Sequence, residues 1–280
     1  METGPPYTML QQNNNKEKSD LVLSIHVHVN GFSFFTHHKS TQKAGLIYRK
    51  TFTETVPIEK LHNEIHADLK KQHILDKHFD EVRCCVENNL ATLVPKPLFE
   101  EASLHDYVKS DIDVRTNDFV THDNLQDIDW ITVYVPYVNV NNMLIDAFGS
   151  FTYYHAVSVW LRALSKHSKA DGEFVWSLYK ENNHIHVALL QHKKLQFYNC
   201  FEAKNPKDIA YFVLLTAEKH GFSPNEVPLY VVGDIAPEDA TYKALYTLVR
   251  SINFLDPEHT YIFESSRLNA HQEFCLLNLF

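Results

Sequence analysis

The stretch Leu21-Val22-Leu23-Ser24-Ile25-His26-Val27-His28-Val29-Asn30 runs into Gly31-Phe32-Ser33-Phe34-Phe35, and it decides the fold because a second stretch copies its layout. That stretch is Phe174-Val175-Trp176-Ser177-Leu178-Tyr179-Lys180-Glu181-Asn182-Asn183, running into His184-Ile185-His186-Val187-Ala188. No gap is needed, and Ser24 falls on Ser177. Each copy reads as two strands joined by a turn, followed by a third strand at 45–52 and at 194–201. A helix then follows in each, at 58–73 and 205–221. The second is opened by Asn205-Pro206-Lys207-Asp208 and closed by Gly221. Short apolar strands at 82–86 and 229–232 complete the units. A shared β-β-β-α-β order at matched spacing points to a duplicated unit.

Size and composition fit two lobes. At 280 residues and 32.5 kDa the chain exceeds the usual single-core size, and we expect a first lobe at 20–168 and a second at 169–280. Residues 1–19 are polar and read as a disordered lead-in without the apolar core of a signal peptide. No apolar run approaches the roughly 20 residues needed to span a bilayer. Four cysteines show neither metal-knuckle nor disulfide-framework spacing, so a reducing cytoplasm is expected. The net charge of -9, with 26 basic residues, argues against a nucleic-acid partner, whose phosphates are gripped by Lys and Arg. Asp111, Asp113, Asp118, Asp123, Asp127 and Asp129 crowd the connection between the copies, and we read them as solvated in preference to a divalent-metal site.

After that connection a strand at 130–136, a helix at 140–148, a strand at 150–155 and a helix at 156–167 lead to the second copy. This passage resembles the end of the first lobe in actin-like ATPases, closest to their pilus-assembly and cell-division branch. From Asp20 to Phe280 the chain also resembles a family of Bacteroidetes proteins defined only as a numbered domain of unknown function. Five segments carry that resemblance: His78-Phe79-Asp80-Glu81-Val82, Leu93-Val94-Pro95-Lys96-Pro97-Leu98-Phe99, Val133-Tyr134-Val135-Pro136-Tyr137-Val138-Asn139-Val140-Asn141-Asn142, Asp146-Ala147-Phe148-Gly149 and Gly233-Asp234-Ile235. The resemblance implies an α/β protein of duplicated ribonuclease-H-like, actin-like fold, each lobe a mixed five-stranded sheet flanked by helices.

The same resemblance implies where a nucleotide would sit. Intact members carry an Asp and then a Gly on the first strand of each lobe, followed by a turn whose N–H groups cradle phosphate. Here the Asp positions are Ser24 and Ser177, and the Gly positions are His26 and Tyr179. The second turn, Lys180-Glu181-Asn182-Asn183, has no glycine and brings an acid toward the phosphate position. The adenosine loop keeps one glycine, in Val232-Gly233-Asp234. Ser24, Ser177, Asn182, Asn183, Gly233 and Asp234 are therefore the residues of a degenerate nucleotide site. Ser24 breaks the two-metal pattern of ribonuclease-H-like nucleases as well.

Other chemistries fare no better. His26 with His28, and His184 with His186, share strand faces and could supply four imidazoles to Zn²⁺, but a polar strand face is the preferred reading. His37, His38, His62 and His66 read as exposed. Cys84 and Cys85 point to opposite faces of their strand, one into the core and one under a helix, and read as structural. No Gly-x-Ser-x-Gly elbow accompanies any serine. The apolar end, 274–280, resembles a membrane tether but lacks flanking Lys and Arg, so a final element packed on the second lobe is preferred. The expectation is a cytoplasmic pseudo-ATPase, not an enzyme, without a cofactor, that binds a protein partner and is open to homo-oligomerisation. The alternative is a divergent protein that uses ATP with Mg²⁺ as a conformational ligand.

Overall fold

Two hairpins of the same design seed two sheets. The computed structural model describes residues 7–8, 19–54, 56–109, 118–168, 174–258, 261–263 and 269–279. In chain order, the first lobe opens with the two-residue strand β1 (Tyr7–Thr8), then β2 (Leu21–His28), β3 (Gly31–His38), β4 (Ala44–Thr51), helix α1 (Ile58–Lys71) and β5 (Glu81–Glu87). An inserted unit follows: β6 (Ala91–Pro95), α2 (Leu104–Lys109), β7 (Thr121–Leu125) and β8 (Trp130–Tyr134). The chain then returns through α3 (Val138–Phe148), β9 (Ser150–His155) and α4 (Ala156–His167). The second lobe comprises β10 (Val175–Glu181), β11 (His184–Gln191), β12 (Lys194–Glu202), α5 (Pro206–His220), β13 (Leu229–Gly233), α6 (Ala240–Tyr246) and β14 (Ile252–Phe254), and α7 (Phe274–Leu277) ends it.

The sheet orders repeat the duplication. The first sheet runs β1-β9-β5-β2-β3-β4 and the second β12-β11-β10-β13-β14. In each, an antiparallel hairpin (β2–β3 or β10–β11) is joined on its other side by a parallel strand (β5 or β13). Helix α1 exists because Leu61, Ile65 and Leu69 recur at helical spacing, and all three are buried against Leu23, Ile25 and Val27 of β2. Each such burial is worth about 1.5–3 kcal/mol. Helix α5 starts where Asn205 Oδ1 accepts from the amides of Lys207 and Asp208, and stops at Gly221, whose φ of 70° suits a left-handed cap.

Several expectations need correction. The strand beginning at Trp130 does not lie in the first lobe's sheet: β8 is the centre of a separate three-stranded sheet, β6-β8-β7, because its alternate residues Ile131 and Val133 pack on Val94 and Val108 of the insert. The acid-rich connection is not uniformly solvated. Asp111 and Asp113 lie outside the described residues, but Asp123 is buried on β7, where it accepts from Tyr134 Oη (3.0 Å) and from the His155 amide (2.8 Å). The final helix packs on the first lobe as well as the second: Leu276 and Leu277 of α7 sit with Phe35 and Ala44, while Phe274 and Cys275 meet Tyr179, because the chain crosses back after β14. His37 is buried, not exposed. Of residues 1–19, Tyr7 and Thr8 pair with Phe151 and Ser150, Ser19 donates its amide to Asp80, and the rest lie outside the described residues. Cys84 and Cys85 fall into two different cores, as their positions on one strand require. No helix among the described residues is long and apolar enough to cross a membrane.

The space between the two sheets is itself core. Trp160 and Leu164 of α4 and Phe274 of α7 fill it together with Cys85 of the first sheet and Tyr179 of the second.

Candidate functional site: a filled cleft between the lobes

The strand ends that would frame a nucleotide converge on a cluster of acids, imidazoles and phenols. His26 comes from β2, Glu87 from the last position of β5, Tyr179 and Glu181 from alternate positions of β10, and His186 from β11. Their exposures are 6% for His26, 5% for Glu87, 2% for Tyr179, 6% for Glu181 and 2% for His186, so all five side chains are packing material as well as polar groups.

Electrostatics order the cluster. His26 Nε2 lies 2.5 Å from Glu87 Oε2. Burial alone would pull the imidazole down, but the Glu87 carboxylate beside it overrides that and raises it to about 9. Burial likewise pushes Glu87 up, and the charge and hydrogen bond of His26 bring it down to about 2. Glu181 has no cation of its own at such range. Burial and the Glu87 carboxylate hold it well above the usual range, so it keeps its proton and shares a hydrogen bond with Glu87. His186 lies 4.0 Å from Glu181 and hydrogen-bonds the Tyr198 hydroxyl at 3.0 Å. The Cys275 thiol reaches the Tyr179 hydroxyl at 3.5 Å. Each buried charge thus has a partner, which is the condition for tolerating it.

The two turns that would cradle phosphate touch each other instead. Asn30 Nδ2 donates to Asn182 Oδ1 at 2.5 Å, tying the first hairpin to the second. Asn182 holds φ at 46°, which asparagine tolerates without glycine. Nearby, Arg49 of β4 bridges Asp234 (3.2 Å) and Glu273 (3.1 Å), and Ser33 Oγ donates to Glu273 Oε2 at 2.7 Å. The C-terminal segment is therefore wired into the cleft.

The six residues of the expected nucleotide site do not form one constellation. Ser24 is buried beneath the cluster, and among the described residues its Oγ finds no hydrogen-bond partner. Ser177 Oγ accepts from Trp160 Nε1 at 3.2 Å, so an indole occupies the approach to the position of the second Asp. Gly233 and Asp234 do line the cleft, while Asn182 and Asn183 sit at a neighbouring mouth with Tyr137. The amides of the adenosine loop are already used: Gly233 N donates to His271 O (2.8 Å), Asp234 N to Lys180 O (2.8 Å) and Ile235 N to Gly233 O (2.7 Å). A Cβ at Gly233 would lie 2.2 Å from Lys180 O, so this glycine serves strand packing. The neighbouring mouth lined by Asn30, Glu181, Asn182 and Asn183 is about 250 Å³, and the space left beside Gly233 and Asp234 is about 20 Å³. That holds about one water, against the several hundred Å³ of a small-molecule site.

The preference for a polar strand face also needs refinement, since His26 and His186 point into this buried cluster. Among the described residues no group of three or more His, Cys, Asp or Glu is placed to hold a metal ion. Glu87, Arg49 and Glu273 escaped the reading of the sequence. The usable signal for Glu87 was an acid directly after the apolar run Cys84-Cys85-Val86.

Comparison with known proteins accords with this geometry. A family model described as Protein of unknown function (DUF3822) matches residues 10–252. A crystal structure from Bacteroides thetaiotaomicron VPI-5482, described as a protein with actin-like ATPase fold and unknown function, superposes with a TM-score of 0.74 at 15% identity, covering 85% of this chain and 91% of that one. The PilM–PilN type IV pilus biogenesis complex matches with a TM-score of 0.59 at 10% identity, over 92% and 97% of the two chains. No curated protein matches in sequence.

Proposed function

The chain belongs to the DUF3822 family and has an actin-like ATPase fold, and on that premise we propose that it is a non-catalytic, cytoplasmic module that binds a protein partner. The observation that carries the reading is the filling of the cleft by Glu87, Glu181, Tyr179 and the C-terminal segment, which leaves about 20 Å³ among them. Three features support it. Serine stands at both expected Asp positions, Ser24 and Ser177, the turns bond to each other, and the adenosine-loop amides are consumed internally. A protein partner is argued by analogy, since PilM was solved in complex with PilN. The free cysteines suit a reducing compartment.

The test is calorimetric and thermal-shift titration with ATP and ADP, with and without Mg²⁺. No heat and no shift at millimolar nucleotide is expected. Saturable binding, stabilising by about 2.7 kcal/mol at a hundredfold excess over Kd, would overturn the reading in favour of nucleotide as a conformational ligand.

A further inference from the structure

We propose that the groove between β6 and β12 takes up an extended segment of a partner protein as an added β-strand. The proposal rests on the reading of the chain as a partner-binding module, and it names the surface and the chemistry of the partner.

Strand β12 is the outermost strand of the second lobe's sheet, and β6 is the outermost strand of the inserted sheet. Both edges, unpaired among the described residues, border one groove of about 640 Å³, which residues 91–93 line from one side and 195–200 from the other. Leu93, Trp130, Leu195 and Tyr198 supply its apolar lining, and all four are anchored in the interlobe core. An outer strand carries a row of backbone donors and acceptors without strand partners, and a second strand satisfies them best. One such donor is visible here: the Cys200 amide donates to Asn199 Oδ1, at 2.9 Å. That carboxamide holds the place of a peptide carbonyl.

The shape and charge of the groove select the occupant. The register of β12 against β11 shifts at Leu190, opposite Gln196, and is regular from Phe197 to Glu202. Six residues at about 3.3 Å each give a docking edge of roughly 20 Å. Because β6 stands opposite that edge, a single strand fits where the sheet of a second copy would collide with the insert. The bulge at Gln196 opposes symmetric edge pairing in the same way. Glu202 is the one carboxylate in the lining, and it lies at the end of the groove beside His184. The partner segment therefore carries apolar residues at alternate positions, over Trp130 and Tyr198, and a Lys or Arg at the end that meets Glu202 in exchange for Lys204, whose exposed ion pair with Glu202 (3.1 Å) is worth little.

The probe is a displayed library of random seven-residue peptides, selected on the full chain, with the best binder synthesised for titration and amide hydrogen exchange. Expected are peptides of alternating apolar pattern with a terminal basic residue, slowed exchange at residues 91–95 and 197–202, and at least tenfold weaker binding to Trp130→Ala and to Cys200→Pro. Tyr211→Ser, on an exposed part of α5, should bind as the native chain does. The exchange readout uses the native chain, so it stands even where a variant folds poorly. Failure to enrich any peptide, protection confined to other strands, or self-association that Cys200→Pro abolishes would each overturn the proposal. None of these results bears on the nucleotide titration, whose failure is separate.

Discussion

Glu87 of the first lobe and Glu181 of the second share a hydrogen bond inside the cleft, and His26 stands on the far side of Glu87 at 2.5 Å. Burial and the neighbouring Glu87 carboxylate hold Glu181 in its protonated form. The pair therefore holds one proton, and the lobes are joined by it.

Glu181→Gln tests that proton. In the folded chain Glu181 stays protonated well above its ordinary 4.5, whereas in the unfolded chain it ionises near 4.5. The unfolded state then binds fewer protons, so native stability falls as pH rises above 4.5. Glutamine keeps a donor toward Glu87 and does not titrate. Urea unfolding of the two proteins should coincide at pH 4, and the variant should become the more stable as pH rises toward 8. Parallel curves across that range would sink the shared-proton assignment.

Glu87→Gln should be costly. It leaves His26 buried without its carboxylate, and removing one partner of a buried ion pair costs about 3–5 kcal/mol. In the native chain the His26 contribution is complete below pH 6.5 and is lost as pH rises through about 9, because its folded value is raised. Glu87 works in the opposite direction, its contribution being complete above pH 4.5 and lost as pH falls toward about 2. NMR titration of the His26 ring should show the raised value in the native chain and its collapse in the variant.

The two serines at the matched first-strand positions should respond differently. Ser24→Ala removes a buried hydroxyl that has no partner among the described residues, so stability should change by less than about 1 kcal/mol or improve. Ser177→Ala strips Trp160 Nε1 of its acceptor and should cost about 1–3 kcal/mol. Restoring acids with Ser24→Asp should destabilise and gain no nucleotide affinity, since it buries an unpaired charge. Denaturation midpoints and an ATP titration distinguish these outcomes.

Gly233→Ala should cost more than the roughly 1 kcal/mol typical of a Gly position, because a left-handed φ of 85° coincides with a Cβ position 2.2 Å from a backbone oxygen. The loss should appear in thermal unfolding. An equal melting temperature would mean that strand β13 can move away from β10.

Most of the architecture was legible because it is local and repeated. Alternating apolar residues, turn-prone breaks and the Asn205 and Gly221 caps give the β-β-β-α-β units within a residue or two of their ends, for example the helices expected at 58–73 and 205–221 and found at Ile58–Lys71 and Pro206–His220. The insert was less legible. Its strands β6 and β7 are five residues each, and β7 (Thr121–Leu125) reads as polar because Asp123 and His122 take partners that come from elsewhere in the chain.

By itself the sequence determined that the lobes are duplicates and that serine stands at the matched positions 24 and 177, since both are matters of residue type at a spacing. Only the tertiary structure decided what fills the cleft. Glu87 and Glu181 are 94 positions apart, and their pairing depends on how two sheets close on α4 and α7. The same holds for the final helix, whose apolar residues suited either lobe. Where it docks follows from the path of the chain after β14, and no local pattern encodes that path.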